Sequence, residues 1–432
     1  MSTALHRTSS ANAYDNSIRN IANRYTDLSA LQENLTSGKR VVRASDDPTS
    51  AAIAERSLTR LSRIATDQRA LASQTDAIAV AESTLGSVTD ALQRFRELVV
   101  SAGNGVHSAN ERKAIAGELQ GLREQVLALA NTKDSNGLPL FHSLGSALEP
   151  FVGPTAQPQD YTFKGLPGQT AASDVAIPFA LDGDSAFMHG PARDPVFNVS
   201  VSTAAPTRSL ITSSVNVTNT ATVAATASAA AAPPNNTPYP SYKLAFTSVT
   251  STSGTTTAQY SITETPSVTP LGAPAPFANV TVSFPTGSTF DISGVPGMSM
   301  TVTGMPAVGD TITIDSSPSI FSVMDDAIRD IGSATTNSSA AQAVSQALHN
   351  IDIGMQNISA VRSQAGELLN RADRIGALQE GRSIQAEADR SRAEDLDMVK
   401  GISDFNNQQT GYSAALQTYA KVQQLSLFNY IS

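Results

Sequence analysis

Histidine is the first residue to look for when asking what chemistry a chain performs, and here its spacing argues against catalysis. His6, His107, His142, His189 and His349 lie far apart. None sits in a His-Glu-x-x-His pattern, which would put two imidazoles on one helical face for zinc. All five read as solvated surface residues. Gly103-Asn104-Gly105 begins like a phosphate loop but lacks the further glycine, the lysine and the preceding strand. It reads as a helix break. Asp and Glu are plentiful but scattered along helical stretches, as on solvated faces. The absence of cysteine closes thiol catalysis, thiolate metal sites and disulfides. The sequence therefore predicts no catalytic, cofactor-binding or metal-binding residue, and a protein that is not an enzyme.

One charged cluster remains. Lys39, Arg40 and Arg43 stand close to Asp46 and Asp47, within a stretch that also holds Gly38, Ser45 and Pro48. The cations alone would suit an anion, but the mixed charge reads as a fixed polar turn or a protein-protein contact. Its ends are well marked. Gly38 follows a helix where a positive φ is cheap. Asp47 before Pro48 places a capping carboxylate ahead of proline at the first helical position.

The elements around this cluster are long helices with narrow apolar stripes. Ala11, Tyr14, Ile18, Ile21, Tyr25, Leu28, Gln32 and Leu35 alternate three and four apart, which puts them on one helical face. Near the other end Phe405, Gln409, Tyr412, Leu416, Tyr419, Gln423 and Ser426 repeat the spacing, widened by Val422, Leu425 and Phe428. Such thin seams need a partner surface, and their proline-free length favours a coiled coil over helices on a domain surface. A second helix is expected from Pro48 to Gly103, carrying Leu58, Leu61, Ile64, Leu71, Ile78, Leu85, Val88, Leu92, Phe95 and Val99. A third follows the capping box Ser108-Ala109-Asn110-Glu111, and Asn136-Gly137 marks a turn. Helical periodicity returns near Ile320, with Val344, Leu348, Ile351, Met355, Ile358, Val361, Ala365 and Leu368 in one stripe.

Between these helical arms the composition changes. The stretch 150–318 holds 20 of the 22 prolines but 13 of the 67 charged residues. Short alternating runs there read as antiparallel strands: Phe197–Val201, Lys243–Val249, Gln259–Ile262, Ala278–Phe284, Met298–Val302 and Thr311–Ile314. The Ala-rich and then Pro/Asn-rich stretch 221–240 reads as a low-complexity surface loop. The fold class predicted is α+β: a long antiparallel helical bundle or coiled coil formed by both chain ends, with a central all-β inserted domain. Its parts are a terminal coiled coil (1–40 and 400–432), a helical bundle (41–149 and 319–399) and the insert (150–318). A net charge of −9 argues against nucleic acid or an anionic membrane as partner. The polar first 20 residues lack the apolar core of a cleavable signal, and no window is long and apolar enough for a membrane span.

The run Leu35-Thr36-Ser37-Gly38-Lys39-Arg40, followed by Ser45-Asp46-Asp47-Pro48, resembles the signature of the bacterial flagellin superfamily. Three features are similar to its hook-filament junction branch. They are Asp47-Pro48, the segment from Phe290-Asp291-Ile292-Ser293-Gly294 to Gly309-Asp310-Thr311-Ile312-Thr313-Ile314, and the ending from Leu416 to Ile431. Leu138-Pro139-Leu140-Phe141-His142 departs from the family pattern. The resemblance covers roughly 1–141 and 286–432. It implies a secreted structural subunit, exported through the flagellar type III apparatus, that assembles with copies of itself into a ring. It also implies a hook-associated neighbour on one side, flagellin on the other, and a cytoplasmic export chaperone covering the C-terminal stripe. The alternatives are filament flagellin itself, or a secreted adhesin or enzyme on a flagellin-like scaffold. The scaffold enzyme would call for a motif such as His-Glu-x-x-His within 150–318, which the sequence lacks.

Overall fold

The computed structural model describes residues 3–154, 160–204, 210–233, 239–266 and 277–431; the side chains of 3–13, 277–279, 422 and 424–431 lie outside that description. In chain order the elements are α1 (Thr3–Ser37), α2 (Pro48–Ala102), α3 (Ala109–Ala130), β1 (Phe151–Val152), β2 (Thr162–Phe163), α4 (Gly183–Phe187), β3 (Phe197–Ser202), β4 (Ile211–Thr212) and β5 (Asn216–Val217). They continue with α5 (Thr220–Ala231), β6 (Ser241–Thr252), β7 (Thr255–Thr265), β8 (Phe277–Pro285), β9 (Thr289–Ile292), β10 (Met298–Thr303) and β11 (Thr311–Ser316). The chain ends with α6 (Ile320–Ser333), α7 (Asn337–Glu394) and α8 (Met398–Ile431). The α+β class follows directly, with helices at both ends and antiparallel strands in the middle. Two compact units divide the chain, one of residues 1–70 and 374–432, the other of 71–373.

In the second unit, the stripe read from the sequence of α2 is core. Leu71, Ile78, Leu85, Val88, Leu92, Phe95 and Val99 are all buried. So are Ile351, Ile358, Val361 and Ala365 of α7. α3 begins with the expected capping box: the Ser108 hydroxyl accepts from the Glu111 N–H, and the Glu111 carboxylate accepts from the Ser108 N–H.

β1 and β2 pair on their own, and the remaining strands form a five-stranded sheet, β3-β11-β6-β7-β8, and a smaller sheet in which β10 pairs with β4, β5 and β9. Neighbours in all three sheets run antiparallel, with Ile312 of β11 opposite Val201 of β3 and Leu244 of β6. Alternation decides the faces. Tyr242, Leu244 and Phe246 of β6, Ala258, Tyr260 and Ile262 of β7, and Met298, Met300 and Val302 of β10 all join one buried core.

Two expectations about the insert change. The sandwich occupies Phe197–Ser316. The preceding stretch instead sends Phe151, Tyr161 and Phe187 into a ring cluster with Phe321 of α6, at centroid separations of 5.1–5.8 Å. The expected loop at 221–240 is helix α5 over its first half. Asn219 caps it, accepting from the Thr222 N–H, and Val223 and Ala230, seven residues apart on one face, are buried. Alanine-rich composition suits helix at least as well as loop, and the one Val on the buried face was too weak a signal to decide between them. The residues 234–238 of that stretch lie outside the description.

α6 carries an acidic cluster that makes this unit's stability pH-dependent. Burial pushes the Asp326 carboxyl up to about 6, despite the Arg329 guanidinium at 2.8 Å and a 2.6 Å hydrogen bond from the Ser317 hydroxyl. Its folded pKa lies above its ordinary value of 3.8. The folded state therefore holds the proton more tightly, and Asp326 favours folding below pH ~4 and loses that contribution as pH rises through about 6. Between pH 6 and 4 wild type should gain roughly 1–3 kcal/mol relative to Asp326→Asn. Urea unfolding at several pH values reads this, and parallel pH profiles for the two proteins would refute it.

Candidate assembly surface and signature loop

In the first unit α1 and α8 run antiparallel, with Tyr14 beside Tyr419 and Tyr25 beside Tyr412, ring centroids 5.5 and 6.0 Å apart. Arg24 Nη1 donates to Gln408 Oε1 at 3.3 Å. Close approach at the other end of the pair depends on Gly401, where a Cβ would come within 3.2 Å of a Leu35 methyl and 2.9 Å of one on Leu396. The two terminal stripes thus meet each other, as their matching spacing predicts.

The meeting is incomplete. Ile21, Leu28 and Leu35 on α1, and Phe405, Tyr412 and Tyr419 on α8, are half-buried, and no described seam side chain reaches full burial. Tyr14, Ile18, Tyr25 and Leu416 remain exposed by 41%, 42%, 61% and 42%. Two helices cover only one flank of each other, so the pair retains an apolar flank. The side chains of Val422, Leu425 and Phe428 lie outside the described residues.

The cluster Gly38–Pro48 is a tied-down turn. Gly38 has φ +71°, and its carbonyl accepts from the Leu396 N–H at 2.9 Å. Lys39 bridges Asp395 in antiparallel fashion, and the N–H groups of Arg40 and Val41 both donate to the Glu394 carbonyl, at 2.7 and 3.3 Å. The Val41 side chain is buried. The loop after α1 is therefore laced to the connection between α7 and α8. Arg40 Nη1 donates to Asp47 Oδ2 at 3.3 Å, and Nη2 reaches the Ser50 hydroxyl at 3.0 Å and the Ala393 carbonyl at 2.9 Å.

The acidic residues act locally. Asp46 Oδ2 accepts from the N–H groups of Val42 and Arg43, at 3.2 and 2.8 Å, and the Ser45 hydroxyl donates to its Oδ1 at 3.4 Å. Asp47 Oδ1 accepts from the N–H groups of Thr49 and Ser50, and the hydroxyls of both residues donate to the same carboxylate at 2.7 and 2.6 Å. These bonds, with Ser50 contributing most, hold the Asp47 carboxyl far below the usual carboxylate range. Pro48 then opens α2. Each cation has a carboxylate partner: Lys39 with Glu394, Arg40 with Asp47, and Arg43 with Glu33 at 2.8 Å. This pairing favours the fixed polar turn over an anion site. Asp47→Ala removes five hydrogen bonds at once, so limited proteolysis between Gly38 and Ser50 is expected to accelerate several-fold, with 71–373 still resistant. Cleavage at the wild-type rate would show that Asp47 does not hold the turn.

Residues 8–145 match the family described as bacterial flagellin N-terminal helical region, a span that takes in α2, α3, the cluster just described and nearly all of α1. Over 147 residues the chain is 35% identical to Flagellar hook-associated protein 3 of Salmonella typhimurium, covering 34% of this chain and 46% of that one. The chain thus spans about half the length of the curated relatives it matches. It is also 33% identical over 108 residues to Flagellin FlaB1 of Treponema pallidum, 25% of this chain and 38% of that one. Among solved structures, flagellar hook associated protein-3 from Legionella pneumophila superposes with a TM-score of 0.56 at 26% identity, over 77% of this chain and 97% of the other.

Sequence reasoning missed several residues. Glu394, Asp395 and Leu396, which receive the signature loop, carry no pattern of their own because they contribute mainly backbone. On α7, Gln342, Gln346 and Asn350 are four residues apart and buried. They hydrogen-bond Thr212 of β4 and the backbone of β3. A search for apolar stripes passes over them. His189 corrects the reading of all five histidines as solvated: it is buried, and its Nδ1 lies 2.8 Å from Asp194 Oδ2. Asp194 also accepts from the Gly190 N–H at 2.9 Å, so a local turn pulls the imidazole inward.

Proposed function

We propose that the chain is a structural subunit of the bacterial flagellum, forming with its own copies the junction ring between hook and filament. The observation that carries this reading is the similarity to the Legionella hook associated protein-3, which spans 97% of that chain. The likeness to a flagellin takes in only 38% of the relative. The half-exposed terminal seam supports the same role. A subunit with an unsatisfied apolar flank at its chain ends gains burial by association, and one heterologous contact repeated about an axis builds a ring.

In this reading the seam is the assembly surface and the signature loop ties the end of α1 to the connection between α7 and α8. The partners are a hook-associated protein on one side and flagellin on the other, with an export chaperone before secretion. The role is mechanical and needs no catalytic residue. Immunogold labelling tests it: one labelled point per flagellum, at the end of the hook, is expected. Label along the whole filament would establish filament flagellin instead, and label away from flagella would favour a secreted adhesin on the same scaffold.

A further inference from the structure

We propose that Tyr14 and Tyr419 form an oxidative cross-linking site, where a peroxide-fed one-electron oxidant of the haem peroxidase class joins the two terminal helices of one subunit by a dityrosine bond. The two residues are 405 positions apart in sequence, yet the Tyr419 hydroxyl donates to the Tyr14 hydroxyl at 2.6 Å. Their ring centroids are 5.5 Å apart with planes inclined by 40°. Gln423 Nε2 donates to the Tyr419 oxygen at 3.4 Å. Tyr14 is 41% exposed and Tyr419 is half-buried, so a diffusing oxidant can reach the pair.

The chemistry balances. Each phenol gives up one electron and one proton. Tyr419 is the hydrogen-bond donor, so the proton it releases has an acceptor already in contact, the Tyr14 oxygen, from which it passes to water. The two phenoxyl radicals couple through ring carbons ortho to oxygen, and both rings regain their aromaticity by moving the ortho hydrogens to oxygen. The net change is loss of two hydrogen atoms, with the two electrons and two protons reducing one hydrogen peroxide to two waters. Composition favours this outcome. The chain has no cysteine and no tryptophan to drain a tyrosyl radical, and its eight methionines are oxidised by oxygen transfer to sulfoxide. Tyr161, Tyr242 and Tyr260 are buried in packed cores. The second seam pair, Tyr25 with Tyr412, stands farther apart at 6.0 Å and is the natural internal control.

The test uses the full-length chain, dilute, with horseradish peroxidase and limiting hydrogen peroxide, followed by tryptic mapping. The expected product is a monomer lighter by two hydrogens, with dityrosine fluorescence and the peptide Thr8–Arg19 joined through Tyr14 to Tyr419 of Gly401–Lys421. Its yield should not depend on protein concentration. Tyr14→Phe and Tyr419→Phe, checked for wild-type circular dichroism, should each lower that product at least about tenfold, and Tyr25→Phe should leave it unchanged. Cross-linked dimers that rise with concentration, links spread over other tyrosines, or no dityrosine at all would overturn the proposal. Monomeric product that survives Tyr14→Phe would do the same.

Discussion

In the proposed role, Leu416→Asp subunits are expected to fold normally and yet fail to build a junction. In the single chain Leu416 is already 42% exposed, on the flank of α8 that α1 leaves uncovered. A carboxylate there costs the isolated chain little, so circular dichroism and thermal melting should stay near wild type. Burying that flank against a neighbour changes the balance. Each subunit then loses ~1.5–3 kcal/mol of side-chain burial and must also strip water from a charge. Because every copy in a ring carries the same lesion, the cost recurs at each contact, and assembly should fall by orders of magnitude. Cells would carry hooks without filaments and release flagellin into the medium. Since an export chaperone could read the same stripe, the decisive assay adds purified protein to filamentless hooks from outside. Filament regrowth with Leu416→Asp equal to wild type would remove the seam from consideration as the assembly surface. Leu416→Asn serves as the uncharged control and should fall between the two.

How much of this was legible beforehand depended on which groups make each contact. The seam could be read because it is built from side chains at helical spacing. Tyr14, Tyr25, Tyr412 and Tyr419 stood out as a stripe and meet as two pairs. The start of α2 was legible for a similar reason, since Asp47-Pro48 concentrates a capping carboxylate and a fixed φ in two adjacent residues. What the sequence could not supply was the partner of the signature loop. Arg40 and Val41 bind a backbone carbonyl at Glu394, and a backbone acceptor leaves no mark on residue type. Exposure was also invisible. Periodicity places Leu58 and Leu85 on the same stripe of α2, yet Leu58 is 41% exposed and Leu85 fully buried, because burial depends on how many neighbours surround each turn. Helix α5 lacks contrast in the sequence, since its alanine gives helical propensity but the run has almost no amphipathic pattern.

Gln346→Leu should destabilise residues 71–373 by about 1–3 kcal/mol, although it exchanges a buried polar side chain for an apolar one of similar size. β3 has a strand neighbour, β11, on one side. On the other, α7 supplies side-chain amides in place of a strand. Gln346 Oε1 accepts from the Val199 N–H at 2.8 Å, and Asn350 Nδ2 donates to the Phe197 carbonyl at 3.1 Å. Gln342 and Gln346 both donate to the Thr212 hydroxyl, at 2.9 and 3.2 Å. Their four-residue spacing keeps the three amides on one face of α7. They match the edge of the sheet and block its pairing with another chain. Leucine at 346 fills the space but leaves the buried Val199 N–H without its acceptor, and unmade hydrogen bonds at buried donors are what cost most. The Thr212 hydroxyl keeps Gln342 and should matter less. Asn350→Ala should be milder than Gln346→Leu, because a carbonyl tolerates under-satisfaction better than an N–H. Amide hydrogen exchange gives the local reading: at Val199 it should speed up by roughly five- to thirty-fold, the equivalent of 1–2 kcal/mol. Urea unfolding gives the global one. If Gln346→Leu matched wild type in both, the apolar replacement would be as good as the amide, and the ladder would be incidental to how β3 is held against α7.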